Sequence, residues 1–244
     1  MTPGDSALII GAGALGCAAA LTVASAGVRR IALVDGRRVE AEDLGQAPLF
    51  GEGDLGSGRA AAAAARLRAL FPGMEAVTHE RALEPESALS LMRGASVVLA
   101  CSDDLAVQFL AGDAALRVGA PLVAGGVLRT TVQVLSVCPG GAGGCLRCLF
   151  EAPAAPGTIP SVAEVGALGP AAALAGALMG AEALRLITGE RGAYEGRLLS
   201  FEGRFARSRV VSVPRRPGCL ACAGGKPLEG ARPPAPGPVP PEAA

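Results

Sequence analysis

Residues 6–36 are SALIIGAGALGCAAALTVASAGVRRIALVDG. A short apolar run, 7–10, leads into the glycines of 11–16, and helix-forming residues then continue to Ala26. A second apolar run follows over 30–35. Glycines between a strand and a helix allow a tight turn, and the helix N-terminus adds partial positive charge where a phosphate approaches. This stretch therefore predicts a strand–helix–strand unit that binds a phosphate-bearing ligand.

The loop at 11–16 has the pattern G-x-G-x-x-G, and Asp35 follows about 20 residues later at the end of the second strand. A carboxylate there can accept hydrogen bonds from both ribose hydroxyls, so the predicted ligand is an adenine nucleotide. Two plainer interpretations remain open: glycines also form turns that bind nothing, and a strand-end acid can simply be solvated. The residues predicted to contact the nucleotide here are Gly11, Gly13, Ala14, Leu15, Gly16 and Asp35.

The alternation of short apolar runs with helical patterns continues to about residue 125 and then stops. The pattern predicts a Rossmann-like, doubly wound α/β fold with a mostly parallel sheet, followed by antiparallel C-terminal strands. Predicted helices are 15–26, 59–70, 85–92, 104–118 and 169–188, and predicted strands are 7–10, 30–35, 75–79, 95–101, 121–124, 130–137, 197–201 and 208–213.

The chain of 244 residues is 50% hydrophobic, enough for one core, so 1–223 is predicted as one domain and the Pro/Gly-rich 224–244 as a disordered tail. Twenty-two basic residues balance 22 acidic ones, which argues against nonspecific binding to nucleic acid or membranes. The start lacks a signal-peptide pattern, and the apolar stretch 168–179 is too short to span a bilayer. We therefore expect a cytoplasmic protein.

Two Cys-x-x-Cys pairs, 145–148 and 219–222, have the spacing of zinc knuckles. Together they predict a closed Cys₄ zinc site that joins distant segments. The alternative is a redox dithiol, which usually occurs as one pair in a thioredoxin-like unit. Cys17, Cys101 and Cys138 lie in apolar segments and are expected to be core residues. The predicted metal ligands are Cys145, Cys148, Cys219 and Cys222.

With these motifs in hand, the sequence resembles the ThiF/MoeB/HesA adenylyltransferases, the bacterial relatives of ubiquitin-activating enzymes. The segments that carry the resemblance are 11–36, CSDD at 101–104, GGCLRC at 143–148, SVAEVGALGP at 161–170 and PGCLAC at 217–222. The resemblance implies that Asp103 holds Mg²⁺, that Arg59 contacts phosphate, and that both serve catalysis. It further places Asp43, Gln46 and Asp104 at the nucleotide site. Asp103 and Asp104 also suit the start of a helix, where carboxylates cap free N–H groups.

The resemblance implies that the C-terminal carboxylate of a ubiquitin-like sulfur carrier ending in Gly-Gly attacks the α-phosphorus of ATP, which gives an acyl-adenylate and releases pyrophosphate. The resulting acyl-adenylate then reacts with a sulfur donor, for which a sulfurtransferase or a cysteine desulfurase is the expected partner, and the enzyme is expected to be a homodimer. The chain has one His, one Lys and one Tyr, so proton-transfer chemistry has few candidates. A carboxylate already ionised at pH 7 needs no general base.

The sequence also departs from the family pattern. Ala14 replaces a glycine, Arg59 replaces a lysine, and Asp43 and Gln46 stand where the family has asparagine and arginine. Val162 stands where some members have a catalytic cysteine, which excludes covalent catalysis there, and the family's first helix has no counterpart before the first strand. A non-catalytic scaffold that binds nucleotide or carrier is the alternative. A nicotinamide-dependent dehydrogenase would leave the cysteine pairs and Asp103 unexplained.

Overall fold

The computed structural model describes residues 5–155 and 157–222. Its amino-terminal part alternates strands with helices, as the apolar periodicity predicts. The elements are β1 (Ser6–Ile10), α1 (Ala14–Ser25), β2 (Arg30–Val34), α2 (Ala41–Leu44), α3 (Arg59–Leu70), β3 (Glu75–His79), α4 (Pro85–Met92), β4 (Val97–Ala100), α5 (Leu105–Val118) and β5 (Leu122–Leu128).

The remaining elements are mostly antiparallel strands and one long helix. They are β6 (Thr131–Val137), α6 (Leu146–Leu149), α7 (Val162–Val165), α8 (Gly169–Ile187), β7 (Arg197–Glu202) and β8 (Arg207–Ser212), with short 3₁₀ turns at Glu52–Asp54 and Gly203–Phe205.

All eight strands form one sheet in the order β3-β2-β1-β4-β5-β6-β7-β8. The five strands from β3 to β5 are parallel, and β6, β7 and β8 add antiparallel pairs at one edge. The order reverses between β1 and β4, so the loops that follow these two strands open the crevice where ligands bind in doubly wound sheets. The predicted fold class is confirmed.

Residues on alternate sides of each central strand belong to two separate cores. Ala7 and Ile9 of β1 face a core formed with α1, α3 and α8, whereas Leu8 and Ile10 face a core formed with α4 and α5. Because both faces of a parallel sheet are covered, its strands are continuous apolar runs rather than alternating ones. Cys145 and Cys219 belong to the second core, so the cysteine pairs lie on the α4/α5 side of the sheet.

Helix α8 is a core helix of this fold. Within the described residues it is the one helix long and apolar enough to cross a membrane, but half of its apolar window is buried. It packs on α1 and on β5 and β6, through small side chains such as Ala172, Ala175 and Ala183. The helix predicted over 169–188 is therefore present, and it is longer than the apolar stretch 168–179 because it extends to Ile187.

Four differences from the sequence-based elements have clear causes. Helices α2, α6 and α7 have four residues each, too short to produce a periodic apolar pattern. Strand β5 continues four residues beyond Ala124 because 125–128 pair with 131–134 in a hairpin. Gly125 and Gly126 lower the strand propensity of this segment, but pairing with β6 keeps it extended. The predicted tail, 224–244, lies outside the described residues, and the division at 223 stays a prediction.

Candidate nucleotide and metal sites

The glycine loop has no room for side chains at two of its positions. Gly11 has φ +91°, and a Cβ there would lie 2.9 Å from the backbone nitrogen of Ser102. A Cβ on Gly16 would lie 1.9 Å from the carbonyl oxygen of Gly11. The loop therefore folds tightly onto the end of β4 before α1 begins at Ala14, and the N-terminus of α1 opens onto the crevice.

Asp35 is buried at the end of β2 and connects that strand with the glycine loop. Its Oδ2 accepts a hydrogen bond from the backbone N–H of Ala12 (2.7 Å), and its Oδ1 accepts one from the backbone N–H of Arg37 (2.7 Å). A carboxylate has about four lone-pair sites, so acceptor capacity remains for a ligand. Contact with ribose stays a prediction, and the solvated-acid interpretation does not hold, because only 8% of Asp35 is exposed.

Arg59 and Asp43 form a buried ion pair beside the loop. Nε and Nη2 of Arg59 donate to the same Asp43 oxygen, Oδ2, at 2.9 and 2.8 Å. Only 7% of the Arg59 side chain and 11% of the Asp43 side chain are exposed. The third guanidinium nitrogen, Nη1, lies 4.0 Å from the position that a Cβ on Gly13 would occupy. The arginine predicted to bind phosphate therefore does lie against the glycine loop.

The acids after β4 differ in their surroundings. Asp104 is the N-cap of α5, where Oδ1 accepts from the N–H groups of Ala106 (2.7 Å) and Val107 (3.4 Å). Asp103 is half-exposed, and its Oδ2 lies 3.4 Å from Nη1 of Arg37. The capping interpretation thus describes Asp104, whose contact with nucleotide stays a prediction. Asp103 follows β4 and 48% of its side chain is exposed, so a ligand can reach it.

Two predicted site residues are at the border of the crevice. Ala14 is the first residue of α1 and is half-buried. Gln46 is exposed, and its Cα and Cγ lie 3.6 and 3.8 Å from the position that a Cβ on Gly169 would occupy, at the first turn of α8. The structure thus brings residues 11–16, Asp35, Arg59 and Asp103 to one edge of the sheet, with Gln46 on the adjoining surface.

The four cysteines of the two pairs meet in one cluster. The sulfur–sulfur distances are 3.6 Å for Cys145–Cys219, 3.8 Å for Cys145–Cys148 and 3.4 Å for Cys148–Cys222, and all four sulfurs lie within 4.8 Å of one another. Four sulfurs held tetrahedrally about 2.3 Å from a zinc ion would be about 3.8 Å apart. The cluster therefore fits one metal ion that is coordinated by protein alone.

Several neighbouring contacts hold this cluster. A β-bridge between Gly143 and Pro214 brings the two cysteine segments together. Cys145 is the N-cap residue of α6, and Cys148 is inside this helix, so the first pair lies on one helical turn. Arg147 of α6 forms a two-pronged ion pair with Asp113 of α5, with Nε–Oδ1 and Nη2–Oδ2 distances of 2.8 Å. This ion pair connects the segment of the cysteine cluster to helix α5.

The thiols differ in their electrostatic environment. Burial raises the pKa of Cys145. Burial acts in the same direction on Cys219, but hydrogen bonds from the backbone N–H groups of Cys222 and Ala221 and from the thiols of Cys148 and Cys145 together outweigh it and lower the pKa of Cys219 to about 7. N–H groups aimed at sulfur stabilise the thiolate form, which is the form that binds metals.

The other three cysteines show no sign of a catalytic thiol. Cys17 and Cys101 are buried, and burial raises the pKa of both. Cys138 was also expected in the core, but it follows β6 and is only half-buried. Burial and the nearby carboxylates of Glu195 and Glu182 raise its pKa to about 11. All three thiols are therefore protonated at neutral pH and poorly nucleophilic.

Contacts that the sequence analysis missed also build the site. The buried side chain of Gln108 donates from Nε2 to the carbonyl oxygens of Ser102 and Gly125, both at 2.8 Å, and so holds the segment that carries Asp103. Arg37 was not identified as a neighbour of Asp103. Only their positions in the sequence could have indicated that Arg37 and Asp103 are neighbours. Both residues follow parallel strands, and the carboxyl ends of these strands lie at one edge of the sheet.

The chain matches the ThiF family over residues 5–221. It is 40% identical over 216 residues to the adenylyltransferase and sulfurtransferase MOCS3 of Bos taurus, covering 88% of this chain and 47% of that protein. It is 36% identical over 221 residues to the sulfur carrier protein adenylyltransferase of Thermus thermophilus, covering 89% of this chain and 82% of that protein. The chain thus spans about half the length of MOCS3 and most of the Thermus protein.

Solved structures agree in fold. The structure of E. coli MccB with ATP superposes with a TM-score of 0.78 at 16% identity, covering 90% of this chain and 67% of that one. The structure of E. coli MccB with MccA-N7isoASN gives the same TM-score at 17% identity, with the same two coverages. At such identity the likeness concerns the fold, whereas the family match extends over nearly all of the described residues. The chain belongs to the ThiF family.

Proposed function

We propose that this protein is an ATP-dependent adenylyltransferase that activates the C-terminal carboxylate of a small ubiquitin-like sulfur carrier. The observation that carries the proposal is the juxtaposition of the tight glycine loop, buried Asp35, loop-facing Arg59 and accessible Asp103 at one edge of the sheet. The names of the Thermus and bovine relatives support the same reaction.

The charge of each residue decides which part of the ATP molecule it would contact. The N–H groups at the start of α1 and Nη1 of Arg59 would meet the phosphates, and Asp35 would orient the ribose. The attacking carboxylate of the carrier is an anion and needs no base. Catalysis then depends on holding the carboxylate and the α-phosphorus in line and on neutralising charge that develops on the phosphates.

Two metal ions complete the proposal. Mg²⁺ would be held by Asp103, whose accessible carboxylate suits a hard cation, and would neutralise phosphate charge. The cysteine cluster would hold Zn²⁺, because four thiolates at these separations match its tetrahedral geometry. The closed zinc site would join the 145–148 and 219–222 segments without taking part in the reaction. ATP and both metals are thus the proposed ligands.

The proposed partners follow from the reaction. A carrier with a flexible Gly-Gly tail can extend into the crevice, and a sulfurtransferase or cysteine desulfurase would supply sulfur to the acyl-adenylate. We further propose a homodimer in the cytoplasm.

Gln46 favours one alternative, a scaffold that binds nucleotide or carrier without turnover. A neutral amide cannot replace the charge-assisted, potentially bidentate phosphate contact of an arginine. If the missing guanidinium limits the reaction, Gln46→Arg should raise the rate of ATP–pyrophosphate exchange by about ten- to a hundredfold. The exposed position of Gln46 means that the substitution should not disturb the fold.

The deciding experiment is ATP–pyrophosphate exchange with Mg²⁺ and a panel of purified sulfur carriers that end in Gly-Gly. We expect exchange with one carrier, no exchange with the same carrier lacking its last glycine, and loss of exchange in Asp103→Asn. Glu86→Gln, an exposed acid in the first turn of α4, is the matched control and should behave as wild type. Absence of exchange by both wild type and Gln46→Arg, in a folded zinc-loaded protein, would support the scaffold instead.

A further inference from the structure

The geometry of Arg59 depends on a single carboxylate oxygen. Oδ2 of Asp43 accepts hydrogen bonds from Nε of Arg59 (2.9 Å), from Nη2 of Arg59 (2.8 Å) and from the backbone N–H of Glu40 (2.9 Å). The last contact closes the capping box of α2 and fixes Asp43 to its own backbone. Asp43 is therefore a rigid acceptor before it meets Arg59.

This arrangement leaves one edge of the guanidinium for a ligand. Two of the three nitrogens face Asp43, and Nη1 faces the glycine loop, 4.0 Å from the position of a Cβ on Gly13. In the part of the chain that the structure describes, no acceptor is assigned to Nη1. Because the guanidinium is planar, fixing Nε and Nη2 also fixes the direction in which Nη1 donates.

We propose that Asp43 is a positioning residue for the reaction, which acts by holding Arg59 so that Nη1 donates to a phosphate in the glycine loop. This proposal rests on the proposed function for the identity of the ligand. A freely rotating arginine loses conformational entropy when it grips a phosphate, whereas the buried pair has already lost it on folding. Asp43 thus contributes to affinity without touching the nucleotide.

A competing effect of Asp43 makes the proposal testable. Its negative charge partly cancels that of Arg59 and repels phosphate, so removal of the charge would strengthen ATP binding if electrostatic masking dominated. Positioning therefore predicts that Asp43→Asn weakens ATP binding, whereas masking predicts that it strengthens ATP binding. An uncharged amide at 43 keeps the size of the side chain and one acceptor oxygen.

The experiment measures dissociation constants of ATP by calorimetry and of adenosine by ligand-observed NMR, for wild type and Asp43→Asn. We expect ATP to bind about ten- to a hundredfold more weakly to the variant, with adenosine unchanged within about twofold, because adenosine has no phosphate to contact Arg59. Tighter ATP binding, unchanged ATP binding, or an equal loss for both ligands would overturn the proposal.

Two further variants separate positioning from folding. Asp54→Asn is a matched control, because Asp54 accepts from the N–H of Gly51 (2.8 Å) as Asp43 accepts from that of Glu40, and it should leave ATP affinity unchanged. In an Arg59→Lys background, Asp43→Asn should cost less ATP affinity than it costs in the wild type, because Asp43 acts through the planar guanidinium that this background lacks. Strictly additive losses would show that the two residues act independently and overturn the proposal.

Kinetics separate this inference from the proposed function. With a carrier that is active in the wild type, Asp43→Asn should raise the KM for ATP in the exchange assay more than it lowers kcat. The contact between Arg59 and phosphate already exists in the bound ground state, before the transition state. If wild type binds ATP but exchanges with no carrier, the adenylyltransferase proposal fails, while the affinity comparison still tests the role of Asp43.

Discussion

The carboxylate of Asp35 accepts a 2.7 Å hydrogen bond from the backbone N–H of Ala12, which joins the end of β2 to the glycine loop. The same side chain accepts from the backbone N–H of Arg37, also at 2.7 Å. The acid thus shapes the loop through contacts within the protein. Its role in the fold and its proposed role toward ribose are carried by one side chain.

Asp35→Ala should therefore reduce both stability and nucleotide affinity. The loss of an acceptor for a buried N–H costs about 1–3 kcal/mol, and this should appear as a lower midpoint in urea unfolding. ATP binding should weaken in the same variant because the loop is no longer held. If stability falls while ATP affinity stays at the wild-type value, Asp35 serves the fold alone and the ribose contact is wrong.

The cysteine cluster predicts about one tightly bound zinc per chain when the protein is purified without chelator. Cys148→Ser or Cys222→Ser should lower the bound zinc measured by mass spectrometry and lower the thermal midpoint, because the metal joins segments distant in sequence. Cys138→Ser is the control, because Cys138 is outside the cluster and should leave zinc content unchanged. Two disulfides in place of a metal would contradict the prediction.

Glu182 is a buried carboxylate in α8 that holds the turn before β7. It accepts from Oγ of Ser136 (2.5 Å) and from the N–H groups of Ala193 (2.9 Å) and Tyr194 (2.8 Å). Glu182→Ala leaves these donors without an acceptor and should cost about 3–5 kcal/mol in unfolding free energy.

The matched control for Glu182 is Glu190→Ala, an exposed acid just beyond the same helix, which should change stability by less than about 0.5 kcal/mol. Urea unfolding at pH 7 compares the two variants. Equal effects would mean that the Glu182 contacts do not stabilise the fold.

His79 is the single histidine of the chain, so its imidazole gives one isolated NMR signal. Partial burial and then the positive charge of Arg81 lower its pKa below 6.5. Because protonation is easier in the unfolded chain, this residue should destabilise the fold slightly as pH falls through 6.5. Arg81→Gln should raise the NMR midpoint, whereas Arg93→Gln should not. A wild-type midpoint above 6.5 would contradict the assignment of these causes.

Much of the fold could be predicted because its signals are local. Helices α3 and α4 and strand β3 have the predicted bounds, since periodic apolar residues and flanking turn residues mark both ends of each. The doubly wound, mostly parallel sheet was also predicted, because short apolar strands alternate with helices along the chain. The hairpin extension of β5 was not, because it depends on a neighbouring strand rather than on the glycines in its own sequence.

The sequence by itself determined the doubly wound fold, the position of the glycine loop and the identity of the four metal-capable cysteines, because spacing along a chain encodes periodicity and turns. The tertiary structure alone decided which groups touch. It joined Asp43 to Arg59 across two helices, brought Arg37 to Asp103, and let Gln108 hold the segment after β4. Such contacts depend on where distant segments meet when the core packs, and no local pattern records that.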